Sequence, residues 1–288
     1  MRYATGERTP PELPDPFAPL PVCSPGMLQT DDGLPCVTPP DGYPVAFPPS
    51  GLIVQDATQP DGPEGLLRRL RHVLYTIYGD RAGAIEQEAV DLLGAKSLDD
   101  YFARPTAFFD AHLKQYSMSR RKAPIYWPLG VPSGRYTVWC YAPRLTEGTL
   151  YTLLVDHLAP RLEALRAEIA ALETTAAENR AHRDLLEERR SFATELEAFR
   201  GEVERITMLP YWPSLHDGII ICAAPLHGLF QHRTWSKACA ETWAKLEAGD
   251  YDWAHVAHGI WPTRVEAKCR TDKSLAIAHD REALYEGD

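Results

Sequence analysis

The chain has 288 residues, 44% hydrophobic and 24% charged, enough at about 150 residues per domain for two folding units and a sizeable core. A disulfide-stapled miniprotein is excluded. Lys plus Arg number 30 against 40 Asp plus Glu, a formal net charge of −10, which excludes a uniformly basic nucleic-acid binder and confines any nucleic-acid contact to a local patch.

Thirteen of the 25 prolines precede residue 50, in segments such as PPELPDPFAPLPVCSPG and PPDGYPVAFPPSG. Missing N–H donors and a fixed φ oppose helix and central strand there. The spacing therefore predicts a proline-rich extended arm over 1–63. Its interleaved Phe17, Leu20, Val22, Val45 and Phe47 make it more apolar than a free tail, so it is expected to lie over another surface.

Residues 64–145 read as a helical subdomain with a basic and aromatic β segment. Leu66, Leu67, Leu70, Val73, Leu74 and Ile77 recur at helical spacing and Gly79 marks the stop. A second helix is expected from Ala82 to Leu93. Ser97 precedes acids as an N-cap, and Pro105 opens a helix carrying Phe108, Phe109 and Leu113. After the turn Pro132-Ser133-Gly134, RYTVWCY predicts one strand.

Residues 146–208 predict a long antiparallel helical hairpin of coiled-coil character. Its second half carries a seam of Leu185, Phe192, Leu196, Phe199, Val203 and Ile206. Pro160 should distort the first helix at 156–160, and the chain is expected to reverse within 174–179. Residues 209–288 read as an α-rich C-terminal region, with a short apolar strand at Gly218–Cys222, helices at 235–246, 253–260 and 262–269, and loosely held last residues. The fold class expected is α+β, mainly helical.

Charge is distributed unevenly. Residues 111–144 hold six bases (Lys114, Arg120, Arg121, Lys122, Arg135, Arg144) and no acid. The same window holds Tyr116, Tyr126, Trp127, Tyr136, Trp139 and Tyr141. Cations that neutralise phosphates thus alternate with rings that can stack on bases. Equally, the rings can be core and the cations a solvated turn.

No phosphate-cradling glycine loop, GxSxG or HExxH occurs. The Pro-Pro pairs lack the Asn/Asp-Pro-Pro-aromatic form of an amino-methyltransferase, so no catalytic residue is assigned. Six cysteines without a CxxC pair are expected to be reduced and mostly buried. His255 and His258, with His227, His232 and Cys222, could in principle meet on zinc, but the spacing is unspecific and structural histidines are the default, so no metal is assigned. Adjacent His216-Asp217 and Asp156-His157 point different ways and read as ordinary turn and helix residues. No apolar run reaches the roughly 18 residues of a membrane span and no hydrophobic signal core opens the chain, so no membrane contact and a cytoplasmic location are expected.

The stretch SMSRRKAPIYWPLGVPSGRYTVWCYAPRLTEGTLYTLLVDHLAPRL, residues 117–162, resembles the C-terminal part of the adenine-specific DNA methyltransferases of BREX phage-defence systems (PglX type) and related restriction–modification methylases. Further blocks carry the same resemblance: PFAPLPVCSPGMLQ with GDRAGAIEQEAVDLLGAKSLDDYF, then YWPSLHDGIIICAAPLHGLF, then GDYDWAHVAHGIWPTRVEAKCRTDKSLAIAH. In that family the S-adenosylmethionine fold and the Asn-Pro-Pro-Tyr-type motif lie N-terminal to these blocks, and no such motif occurs here. The resemblance implies a target-recognition and helical portion without cofactor or catalysis of its own, from a split gene, a separate subunit or a truncated remnant. Its expected partners are duplex DNA and a methyltransferase catalytic half or other defence proteins. Lys114, Arg120, Arg121, Lys122, Tyr126, Trp127 and Arg135 are the candidate DNA-binding residues. The alternative is a protein–protein scaffold using the hairpin, without DNA binding.

Overall fold

A computed structural model describes residues 48–59, 65–118, 121–175 and 180–287, so most of the expected proline-rich arm lies outside the described residues. The described part is a mainly helical α+β fold built around one small antiparallel sheet. Its strands are β1 (Leu52–Asp56), β4 (Tyr126–Gly130) and β5 (Tyr136–Tyr141), in the order β1-β5-β4. A separate two-stranded ribbon pairs β2 (Ser117–Met118) with β3 (Arg121–Lys122).

The expected strand RYTVWCY is β5, the central strand, and every residue of it is buried. Two strands beside it depart from expectation. The segment LIVQD falls within the expected arm yet forms β1, with Leu52 opposite Cys140 and Asp56 opposite Tyr136. Its β-branched run lies between prolines rather than containing one, so the local proline density conceals it. YWPLG forms β4, and its Pro128 is tolerated because β4 is the outer strand of the sheet.

The N-terminal helices follow the sequence closely: α1 (Leu66–Tyr78), α2 (Ala82–Leu93), α3 (Leu98–Ala103) and α4 (Pro105–Gln115). Ser97 accepts from the Asp100 N–H as an N-cap, and Pro105 opens α4. Leu67, Val90, Leu98 and Phe102 form their small core, which the ring contacts Phe102–Phe108 (5.5 Å) and Phe108–Trp139 (5.1 Å) join to the sheet.

The long hairpin consists of α6 (Ala159–Thr175) and α7 (Arg180–Thr207), preceded by a short α5 (Thr149–Thr152). Arg166 pairs with Glu197 at 2.9 Å and Glu173 with Arg190 at 2.8 Å, which fixes the antiparallel arrangement. The reversal at 176–179 lies outside the described residues. Pro160 sits in the first turn of α6, directly after a π-helical turn at Leu153–Leu158. The distortion expected from its missing N–H takes that form.

Phe192, Leu196, Phe199, Val203 and Ile206 are all buried, but the first seam position is Leu186, with Leu185 half-buried. From Phe192 to Ile206 the seam joins the main core together with the sheet and the C-terminal helices, so that part of it is consumed within this chain. A buried ion network ties β1 to the hairpin. Arg161 Nε donates to Asp56 at 2.5 Å, its other nitrogens reach Glu168 at 3.0 Å and the Thr58 hydroxyl at 2.8 Å, and its guanidinium lies over Phe192.

The C-terminal region holds α8 (Ile219–Ala223), α9 (Arg233–Ala248), α10 (His255–Ile260), α11 (Pro262–Cys269) and α12 (Lys273–Ala278). The strand expected at Gly218–Cys222 is helix α8 instead. An apolar run of five residues carries no period that separates strand from buried helix, and Gly218 with φ of 91° turns the chain into the helix. The last residues are also more structured than expected: Asp272 caps α12, and Leu284 and Tyr285 pack on the main core. Among the described residues no helix is long and apolar enough to cross a membrane.

Candidate nucleic-acid interface

The basic window begins on α4 and ends in the turn after β5. Lys114 lies in the last turn of α4, exposed, where a cation complements the helix dipole. The chain then makes a narrow finger, with Ser117 opposite Lys122 and Met118 opposite Arg121. The Ala123 N–H closes its base by donating to the Tyr116 carbonyl at 2.9 Å. Lys122 is exposed, and neither it nor Lys114 makes an ion pair among the described residues. Arg120 and the side chain of Arg121 lie outside the described residues.

The rings separate into two groups. Trp127, Tyr136, Trp139 and Tyr141 are buried. Trp127 is 0% exposed and donates its indole N–H to the Pro124 carbonyl at 2.8 Å, with Phe230 against its ring. Trp127 therefore does not line the surface as expected; it is core. Trp139 donates to Gln55 at 3.2 Å, and burial raises the Tyr136 phenol well above its usual range. Tyr116 and Tyr126 are half-buried, and Tyr126 stacks on Tyr141 at 5.1 Å.

Arg135 also departs from its expected role. Its guanidinium donates to Glu195 at 2.8 Å, to the Ser191 hydroxyl at 3.1 Å and to the Glu188 carbonyl at 3.2 Å, all on α7, and it covers the Phe192 ring. It clamps the β4–β5 turn to the hairpin. Arg144 donates to the Pro48 carbonyl at 2.7 Å, next to β1. The cations left for a phosphate are thus those of α4 and the finger.

The sequence gives no hint of His112. It lies on α4 at intervals of four from Phe108 and Tyr116, is only 5% exposed, and its Nε2 accepts the N–H groups of Ile125 (2.9 Å) and Tyr126 (3.1 Å). Two donors on one nitrogen require the neutral ring with its proton on Nδ1. Burial lowers its pKa from 6.5 to about 4.

The C-terminal histidines disperse. The His255 Nδ1 pairs with buried Asp217 at 2.7 Å, and Asp217 also accepts the N–H groups of His255 and Val256. His232 caps α9 and reaches Asp110 at 3.0 Å, while His258 stacks on His279, whose Nε2 donates to the Asp252 carbonyl. The Cys222 thiol donates to the Ser214 carbonyl and burial raises it to about 12. Among the described residues no three His, Cys, Asp or Glu side chains converge as a metal site. Cys140, Cys222, Cys239 and Cys269 are free and buried.

A cleft of about 770 Å³ opens between Gly130, Phe230 and the α7 face bearing Phe199. Glu195 and Glu202 line it, and hydrogen bonding from Arg205 holds the Glu202 carboxyl below the usual range. Each carboxylate is matched by an arginine, Arg135 on Glu195 and Arg205 on Glu202, and Arg233 also lines the cleft. A scan against protein-family models finds no match to the chain, and a search of curated proteins finds none either.

Proposed function

We propose that this chain is a non-catalytic module of a BREX-like, phage-defence adenine-specific DNA methyltransferase, contributing DNA binding and complex assembly. One observation carries the DNA-binding part: in a chain of net charge −10, residues 111–144 hold six bases and no acid, and Lys114 and Lys122, which make no ion pair among the described residues, flank a narrow finger. Phosphates are the natural ligands of such a surface, and they position a protein without specifying sequence. Arg120 and Arg121 extend the same run in the sequence. Tyr116 and Tyr126 supply half-exposed edges beside it, whereas Trp127 and Arg135 serve the core and the hairpin clamp. The assembly part rests on the resemblance of several sequence blocks to that methyltransferase family. S-adenosylmethionine and methyl transfer are assigned to a partner, since no glycine loop or Asn-Pro-Pro-aromatic motif occurs in this sequence. The scaffold alternative rests on the hairpin seam and on the apolar residues of the proline-rich arm; the seam from Phe192 to Ile206 is buried within the chain, and most of the arm lies outside the described residues.

The test is fluorescence anisotropy of the full chain with a labelled duplex of about 30 base pairs, titrated in salt. Log affinity should fall linearly with log salt, and replacing Arg120, Arg121 and Lys122 together by alanine should reduce the slope by about 2 to 3. No binding at low salt, or a slope untouched by the triple replacement, overturns the reading.

A further inference from the structure

The chain that leaves the finger is held to the helix that enters it by a side chain that uses no charge. His112 on α4 accepts the N–H groups of Ile125 and Tyr126, where the chain passes from the finger into β4. Phe108 stacks parallel to the imidazole at 5.9 Å, Tyr116 lies at 4.5 Å, Tyr126 at 5.4 Å and Phe109 at 6.4 Å. From these contacts we infer that His112 is a positioning residue for DNA binding: as a neutral double acceptor it fixes the orientation of the basic finger, and protonation releases it.

The chemistry is specific to this ring. A protonated imidazole has no lone pair, so both N–H groups would face a donor in a site closed to water. The titratable groups packed around it are the phenols of Tyr116 and Tyr126, with Tyr141 behind the latter. Burial raises Tyr116 above its usual value, so it offers no negative charge near neutrality. Asp110, on the same helix, is engaged by His232 at 3.0 Å. Among the described residues no charged side chain bonds to the ring, and burial alone lowers its pKa.

The sign of the proton linkage follows. The folded value of about 4 lies below the ordinary 6.5, so the released form binds the proton more tightly. Attachment is at full strength above pH 6.5 and weakens as pH falls towards 4. The equilibrium for release rises about tenfold per pH unit in that window, up to about 300-fold in all.

The inference rests on the proposed DNA-binding role, and hydrogen exchange separates the two. In the wild-type full chain, protection of the Ile125 and Tyr126 amides, corrected for intrinsic exchange, should drop about tenfold from pH 7.5 to pH 5.5, beyond any change at the amides of α11. H112Q, whose amide oxygen can accept, should keep protection at pH 7.5 and lose the pH dependence. H112A should lose protection locally and bind the duplex about tenfold more weakly, with H112Q restoring most of the affinity. Protection that ignores both pH and H112A overturns the clasp. Lost protection with unchanged duplex affinity overturns the positioning role. If the wild type binds no duplex, the DNA-binding reading and the positioning role both fail, and only the clasp itself is still decided by exchange.

Discussion

The helical hairpin and the basic window carry similar numbers of cations and use them in opposite ways. On α6 and α7, Arg161, Arg166, Arg189, Arg190, Arg200 and Arg205 each lie within 3.0 Å of a carboxylate. Among the described residues, Lys114 and Lys122 of the window have no such neighbour, and Arg135 finds its carboxylate on α7. A cation count therefore says little about anion binding until the acids that fold back onto it are subtracted. Of the window's six bases, the subtraction removes Arg135 and sets Arg144 aside at Pro48. The rings divide likewise: four of the six are buried in the sheet, and Tyr116 and Tyr126 stay half-buried.

The strongest way to break this comparison is through Trp127. Trp127→Ala should destabilise the fold by about 3 to 5 kcal/mol, as loss of a fully enclosed large ring does, read as a fall in the urea midpoint with unchanged m-value. If stability held and DNA affinity fell instead, the ring would be outside and the division between core rings and surface cations would collapse. Next in size is the buried ion network on the hairpin side. Asp56→Asn removes one carboxylate from Arg161, a side chain only 8% exposed, and should cost about 3 kcal/mol because a buried charge loses its partner. Thermal unfolding checks it, and a shift as small as that of an exposed pair would mean that Glu168 alone suffices.

Elements whose ends are marked by local chemistry are legible in the sequence. α2 and α11 run over the expected residues, and Ser97 caps α3 as its position before two acids implies. β1 is not legible, because its five residues are embedded in proline-rich text and its paired residues lie 80 to 88 positions away. Leu185 and Leu186 differ by 100° around the helix, and only the packed core decides which enters it. At the candidate site the cation run is plain in the sequence, whereas the burial of Trp127 and the clamp from Arg135 to Glu195 are tertiary facts that a local charge sum omits. His112 was invisible for the same reason: a lone histidine on a helix becomes informative only when two backbone N–H groups arrive from 13 and 14 residues onward.

The smallest expected effects sharpen the comparison most, because they separate two cations that look alike in a sequence. Arg166 is exposed and pairs with Glu197 on the facing helix; Lys122 is exposed and pairs with nothing described. Arg166→Ala should cost less than about 1 kcal/mol of stability, as exposed ion pairs do, and should leave the salt slope of duplex binding unchanged. Lys122→Ala should shift stability by less than about 0.5 kcal/mol yet lower the slope by about 0.9, the share of one phosphate contact. Paired denaturation and salt titrations of the two variants check both. Equal slopes would mean that a carboxylate neighbour makes no difference to how a surface cation meets a phosphate, and the reason for locating DNA contact at the finger would be gone.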